Sequence, residues 1–222
     1  MDPVGRAFAA ECARLTEILA ELVDADLDRP TDCPPWTVRE LVAHVRTGVG
    51  RLTDMLAAPA PPRAEVDAAG YFGLAKFTPT VDADRIAGAR RDASPADRAA
   101  LATEFERAWR ATDAAVAAAP PDRVVRTRHG DAMGVTEFLR TRVVEVGVHG
   151  LDLAAALGRP PWLTPPAAEV IADLLTGGRP APAGLRWDRL TLIRKTTGRA
   201  ALTAPERSAI DAADFRWLTF GR

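Results

Sequence analysis

Apolar positions recur at three- and four-residue steps from the beginning of the chain. Phe8, Cys12, Leu15, Ile18, Leu19 and Leu22 trace one face of a helix from about Pro3 to Val23. Asp24 to Pro35 breaks the period and reads as a loop. A second stripe runs through Leu41, Val45, Val49, Leu52 and Leu56. Its start is Thr37-Val38-Arg39-Glu40, a capping box in which hydroxyl and carboxylate each accept the other residue's amide. Trp36 is placed to pack on Leu41 as a hydrophobic staple, and Pro34 and Pro35 prevent the helix from extending backwards.

From Ala58 to about Asp92 the pattern loosens through Pro59, Pro61, Pro62 and Tyr71-Phe72-Gly73, a connection long enough to be functional or mobile. Ser94 as cap and Pro95 in the first turn open a third helix through Leu101, Phe105, Trp109 and Val116, ended by Pro120-Pro121. Val124 to Gly134 is a polar connection. A fourth helix then runs from about Val135 to Leu157 and stops at Gly158 and Pro160. Thr164-Pro165-Pro166 caps a shorter helix to about Leu175. Past Gly177-Gly178, the stretch Arg189 to Arg194, a turn at Gly198 and Ala200-Ala201-Leu202 predict a β-hairpin. The pattern predicts a mainly α fold: a four-helix bundle over residues 1–160 and a small C-terminal α+β extension over 161–222.

Composition is that of a globular protein able to fill a core, with 47% apolar and 27% charged residues. The 29 basic and 30 acidic residues are mixed along the chain, so nucleic acid and anionic membrane are poor candidate partners. All the basic residues are arginine except Lys76 and Lys195. No charged-then-apolar leader and no span-length apolar run is present. Cys12 and Cys33 form neither a CxxC pair nor a disulfide framework, and the expected setting is a reduced cytoplasm.

The chemistry concentrates on the fourth helix. Phe138, Arg142, Glu145, His149, Asp152 and Ala156 follow one helical stripe, yet its middle is charged where an inward stripe should be apolar. Glu145 and His149 lie one turn apart and can bind one cation, with His44 from the second helix as a third ligand. Three protein ligands leave positions open for water or substrate, and a set without thiolate suits Zn²⁺, with Ni²⁺, Co²⁺ or Fe²⁺ as alternatives. Asp152 is placed to orient an imidazole. Arg142 is either a salt-bridge partner for Glu145 or a clamp for a substrate carboxylate or enolate, a role also open to Arg63 or Arg85. His129 reads as a surface residue, and Cys33 as a packed loop thiol with no histidine near it in sequence.

Thr31-Asp32-Cys33-Pro34-Pro35-Trp36-Thr37-Val38-Arg39-Glu40-Leu41-Val42-Ala43-His44 resembles the T-x-C-P-G-W-T-V-x-D-L-V-x-H-L signature of the mycothiol-dependent maleylpyruvate isomerase N-terminal family. Arg142-Val143-Val144-Glu145-Val146-Gly147-Val148-His149-Gly150-Leu151-Asp152-Leu153 is similar to the family's R-x-x-E-x-x-V-H-x-W-D-L. The tail around Thr197-Gly198-Arg199-Ala200-Ala201-Leu202 resembles a C-terminal extension of many members. The resemblance implies a DinB/YfiT-like bundle with a metal on His44, Glu145 and His149. It also implies use of the low-molecular-weight thiol mycothiol in isomerisation or S-transfer. A metal-bound thiol loses its proton near neutral pH; isomerisation then runs by conjugate addition, rotation and expulsion. Pro35 in place of glycine, and Gly150-Leu151 in place of Arg-Trp, depart from the pattern, the second beside the metal position.

The reading that follows is a metal-dependent, mycothiol-using isomerase or S-transferase acting on a small electrophile, as monomer or homodimer. The competing readings are a metal enzyme that uses no thiol, and a non-catalytic metal-stabilised binding module.

Overall fold

The structure, a computed structural model, describes residues 2–73, 78–93 and 98–220. In chain order its elements are α1 (Pro3–Ala20), α2 (Asp24–Leu27), α3 (Val38–Ala57), α4 (Ala68–Tyr71), α5 (Pro79–Ala93), α6 (Arg98–Ala118), β1 (Val124–Arg126), β2 (Ala132–Gly134), α7 (Val135–Leu157), α8 (Pro165–Thr176), a 3₁₀ turn (Ala183–Leu185), α9 (Arg189–Thr196) and α10 (Ala204–Ala212). The fold is mainly α, and α1, α3, α6 and α7 are the four long helices predicted from the apolar stripes. α1 packs on α6, α7 and α8, while α3 packs on α5, α6 and α7. Phe8, Leu15, Leu41, Leu52, Leu101, Phe105, Phe138, Leu139 and Leu153 fill the space between them and are essentially solvent-free. No helix among the described residues is long and apolar enough to cross a membrane.

The helix ends follow the caps written in the sequence. The Thr37 amide donates to Glu40 Oε2 at 2.8 Å and the Glu40 amide donates to Thr37 Oγ1 at 3.5 Å, closing the capping box of α3. Gly158 ends α7 in the left-handed conformation, at φ 65°. The cap predicted at Ser94 and Pro95 lies outside the described residues.

Three expectations are corrected. The predicted hairpin from Arg189 to Leu202 is α9 and a following turn, with α10 beyond it. Leu192, Ile193, Thr196 and Thr197 are the buried residues there, a helical spacing, and Asp188 caps the helix by accepting the Thr191 amide at 2.7 Å. Leu190 is partly buried against the core that Ile193 fills. The loosened stretch before Asp92 holds α4 and α5. α5 was hidden because its buried positions, Ala89 and Ala93, are alanines that leave no apolar stripe. Finally, the connection from Val124 to Gly134 is an antiparallel ribbon, with Val125 paired to Met133, both buried. It is the one strand pair among the described residues.

Candidate active site

Two elements bring the predicted residues together. The capping box fixes where α3 begins, and two turns later His44 leaves it toward α7. Glu145 and His149 leave α7 from successive turns to meet it. His44 Nε2 lies 2.7 Å from Glu145 Oε1, and His149 Nε2 lies 3.7 Å from the same oxygen. The ligand-type atoms of the three side chains all fall within 4.8 Å of one another. Their side chains remain 14%, 15% and 18% exposed, so the cluster opens to solvent on one side.

The partners of His149 fix which of its nitrogens faces the cluster. Asp152 Oδ2 lies 2.9 Å from Nδ1, and that carboxylate is also gripped by Arg199 through Nε to Oδ1 and Nη2 to Oδ2, both at 2.9 Å. An ionised Asp152 accepts the Nδ1 proton, so Nε2, which faces Glu145, is the nitrogen left for a cation to take in place of a proton. Burial of Asp152 alone would raise its pKa, but the hydrogen bonds from His149 and Arg199 hold it well below the usual carboxylate range. Burial likewise opposes charge on His149, yet its bonds to Asp152 and Cys33 push its pKa up to about 10. At His44 burial wins and the pKa falls. Glu145 is buried too, but His44, Arg142 and His149 around it keep it ionised.

The residues around this cluster divide into those foreseen and those missed. Arg142 is buried and held in place. Its Nη1 is 3.9 Å from Glu145 Oε2 and donates to the Gly48 carbonyl at 3.3 Å, while its guanidinium lies 4.8 Å from the Phe138 ring centre. A Cβ on Gly48 would stand 2.9 Å from that nitrogen, so a larger residue there would displace the Arg142 guanidinium. Of the two arginines named from the long connection, Arg85 lines the pocket beside His44 and Arg63 is exposed.

His129 is not a plain surface residue. It is half-buried at the tip of the β1–β2 ribbon, edge-on to Tyr71 at 5.7 Å, and lines the same pocket. Cys33, which has no histidine near it in sequence, has one in space. Its Sγ donates to Asp152 Oδ2 at 3.1 Å and lies 4.0 Å from His149 Nδ1. Trp36, expected only as a staple on Leu41, stacks on His44 with ring centres 4.4 Å apart.

Arg199 and the pocket arginines Arg51 and Arg128 were not singled out from sequence. Arg199 stands in the tail segment that resembles the family extension, which was the available signal. The departure at Gly150 also has a physical reading: a Cβ there would stand 3.1 Å from Trp162 Nε1, so the missing side chain makes room for an indole from the next connection.

In its chemistry the cluster is a nitrogen, nitrogen and oxygen donor set with one side open and a neighbouring pocket lined by His44, Tyr71, Arg85 and Arg142. Such a set fits a borderline divalent cation with coordination positions to spare.

Comparison with known proteins shows the family and the fold. A family model described as the mycothiol maleylpyruvate isomerase N-terminal domain matches residues 8–154, which contain all three members of the cluster. Among solved structures, the chain is similar to the crystal structure of the mycothiol-dependent maleylpyruvate isomerase. The TM-score is 0.53 at 16% identity, covering 79% of this chain and 70% of that one. A histidine-to-alanine mutant of that protein matches to the same extent. At this identity the likeness shows a shared fold. No curated protein matches the sequence.

Proposed function

The chain belongs to the mycothiol maleylpyruvate isomerase N-terminal domain family, and on that footing we propose that it is a mycothiol-using isomerase or S-transferase. Its chemistry would sit at a divalent cation held by His44, Glu145 and His149, with Zn²⁺ the best fit to the donors. One observation carries the reading. Three donor atoms from two helices converge within 4.8 Å, and the far nitrogen of His149 is committed to Asp152, so its near nitrogen is the one turned toward the other two donors.

When bound, the cation supplies Lewis acidity that keeps a coordinated thiol deprotonated near neutral pH, and mycothiol supplies the sulfur nucleophile. The remaining work falls to side chains of this protein. Glu145 brings a negative charge to offset the cation. Asp152 holds the proton on His149 Nδ1 and fixes the ring plane, and Arg199 fixes Asp152. Arg142 orients Glu145 and presents a positive charge to the pocket, where negative charge develops on an activated alkene or carbonyl. Trp36 covers one face of His44 and limits access of water from that side.

The test is thiol-dependent turnover by the zinc-loaded protein, with maleylpyruvate or monochlorobimane as the electrophile. Wild-type protein should hold about one zinc per chain by elemental analysis. Its turnover should rise with mycothiol to saturation. His149→Ala should lose both properties. Full zinc content in His149→Ala, or turnover indifferent to mycothiol, would overturn the proposal.

A further inference from the structure

Attack of a thiolate on an alkene conjugated to a carbonyl builds negative charge on the carbonyl oxygen, and a proton delivered there lowers the barrier. The side chains lining the pocket beside the triad can be sorted by whether they have a proton to give. Arg51, Arg85, Arg128 and Arg142 reach it from α3, α5, the turn of the β1–β2 ribbon and α7, and form an arginine wall. Guanidiniums hold their protons at any working pH, so the wall supplies charge and no acid. Glu145 is kept ionised and only accepts. His44 belongs to the triad, 2.7 Å from Glu145, and His129 uses Nε2 to accept from Arg128 Nε at 3.1 Å. Tyr71 remains. It is the single tyrosine of the chain, and a phenolic O–H is both a hydrogen-bond donor and a weak acid.

The fold holds that ring in place. Asp67 accepts the Gly70 amide at 2.8 Å to start α4, and the Ala68 amide ties this turn to Glu137 of α7 at 3.0 Å. Phe72, His129 and Phe138 then meet the Tyr71 ring edge-on, with centres 5.6, 5.7 and 5.8 Å away. The Arg142 guanidinium lies 5.8 Å from the ring centre and 3.9 Å from Glu145, so one side chain stands between Tyr71 and the triad. Burial lowers the pKa of both Arg51 and Arg85, and Tyr71 is among the groups that oppose the fall at each, so its hydroxyl end faces the wall. Cations gathered there offset the charge that a phenolate carries once its proton has gone.

We propose that Tyr71 is the proton donor of the reaction, with Arg51, Arg85 and Arg142 placed to stabilise its phenolate. The inference rests on the thiol reading of the triad. As the sulfur–carbon bond forms, the alkene electron pair passes through the chain of conjugation to the carbonyl oxygen. The Tyr71 Oη proton moves to that oxygen, leaving an enol and a phenolate. After rotation about the carbon–carbon bond, now single, the phenolate takes the proton back, the double bond re-forms and the thiolate leaves. Proton and electron pair both return to their origin, so no co-reactant is consumed.

Two neutral electrophiles separate this role from a structural one. Dimethyl maleate isomerises through an enolate, whereas monochlorobimane loses chloride to the thiolate directly and needs no proton. With zinc-loaded protein and mycothiol, Tyr71→Phe should lower the ratio of dimethyl maleate to monochlorobimane turnover about 100-fold, within the range of general acid catalysis. The solvent deuterium isotope effect on dimethyl maleate turnover should disappear in the same variant. Its circular dichroism and zinc content should match wild type, and His129→Asn should leave the ratio unaltered. A readout without turnover uses metal-free protein labelled with 3-fluorotyrosine, which gives one fluorine resonance because the chain has one tyrosine. That line should shift on saturation with dimethyl maleate. A ratio unchanged in folded Tyr71→Phe, a ratio that falls in His129→Asn instead, or an unmoved fluorine line would overturn this inference alone. Absence of mycothiol-dependent turnover of both electrophiles by the wild-type protein would overturn the thiol reading and the inference with it.

Discussion

His149 shows how much one carboxylate decides. Its Nε2 can serve a cation only while Nδ1 keeps the proton, and Asp152 at 2.9 Å, 2% exposed and clamped by Arg199, enforces that state. Asp152→Asn keeps the shape but removes the charge and frees the tautomer. Zinc affinity should fall by about 10- to 100-fold, the usual cost of losing such a support. Competition against a chromophoric chelator measures it, and unchanged affinity would show that Asp152 does not govern the ring. Asp152 was legible in the sequence because it shares a helical stripe with His149. Arg199 was not, because it approaches from a segment 47 positions away, whose placement depends on tertiary packing.

At the scale of elements, two helix starts carry predictions. Thr37 and Glu40 close the capping box of α3, the helix that presents His44. Thr37→Ala should cost about 1 kcal/mol of stability in urea unfolding; no change would mean the cap contributes nothing. The start of α8 is held differently. Glu11, buried within α1, accepts the Thr164 amide at 2.8 Å and its hydroxyl at 2.6 Å through Oε2, while Oε1 has no partner among the described residues. Burial raises the Glu11 pKa, against the lowering by those two bonds. The folded state thus holds this proton more tightly than the unfolded chain. The stability contributed by Glu11 is present below the unfolded value, about pH 4, and is lost as pH rises through the raised folded value. Glu11→Gln removes that loss, so its melting temperature relative to wild type should rise between about pH 4 and pH 7. A difference that stays constant with pH would contradict the reading.

The helices legible from sequence were those with apolar stripes of large residues, as in Leu41, Val45, Val49 and Leu52. α5 and α9 escaped because alanine and short length give the period too little contrast, and packing against α3 and α8 decides their form. The same division holds for the site.

For the molecule as a whole, His44, Glu145 and His149 were readable because two are one turn apart and the third follows a capping signal. The arginine wall was not readable, since four elements distant in sequence assemble it only in the folded chain. The family model ends at residue 154, yet Arg199 beyond it completes the support of His149. The bundle and its tail therefore act as one unit at the site.

The central claim is that His44, Glu145 and His149 hold a cation to which a thiol has access. The most direct measurement is the near-ultraviolet absorption of cobalt-substituted protein during titration with mycothiol. A new thiolate-to-cobalt charge-transfer band that saturates with mycothiol, and is missing in His149→Ala, is the predicted result. A cobalt spectrum that mycothiol leaves unchanged, while substrate still turns over without the thiol, would contradict it.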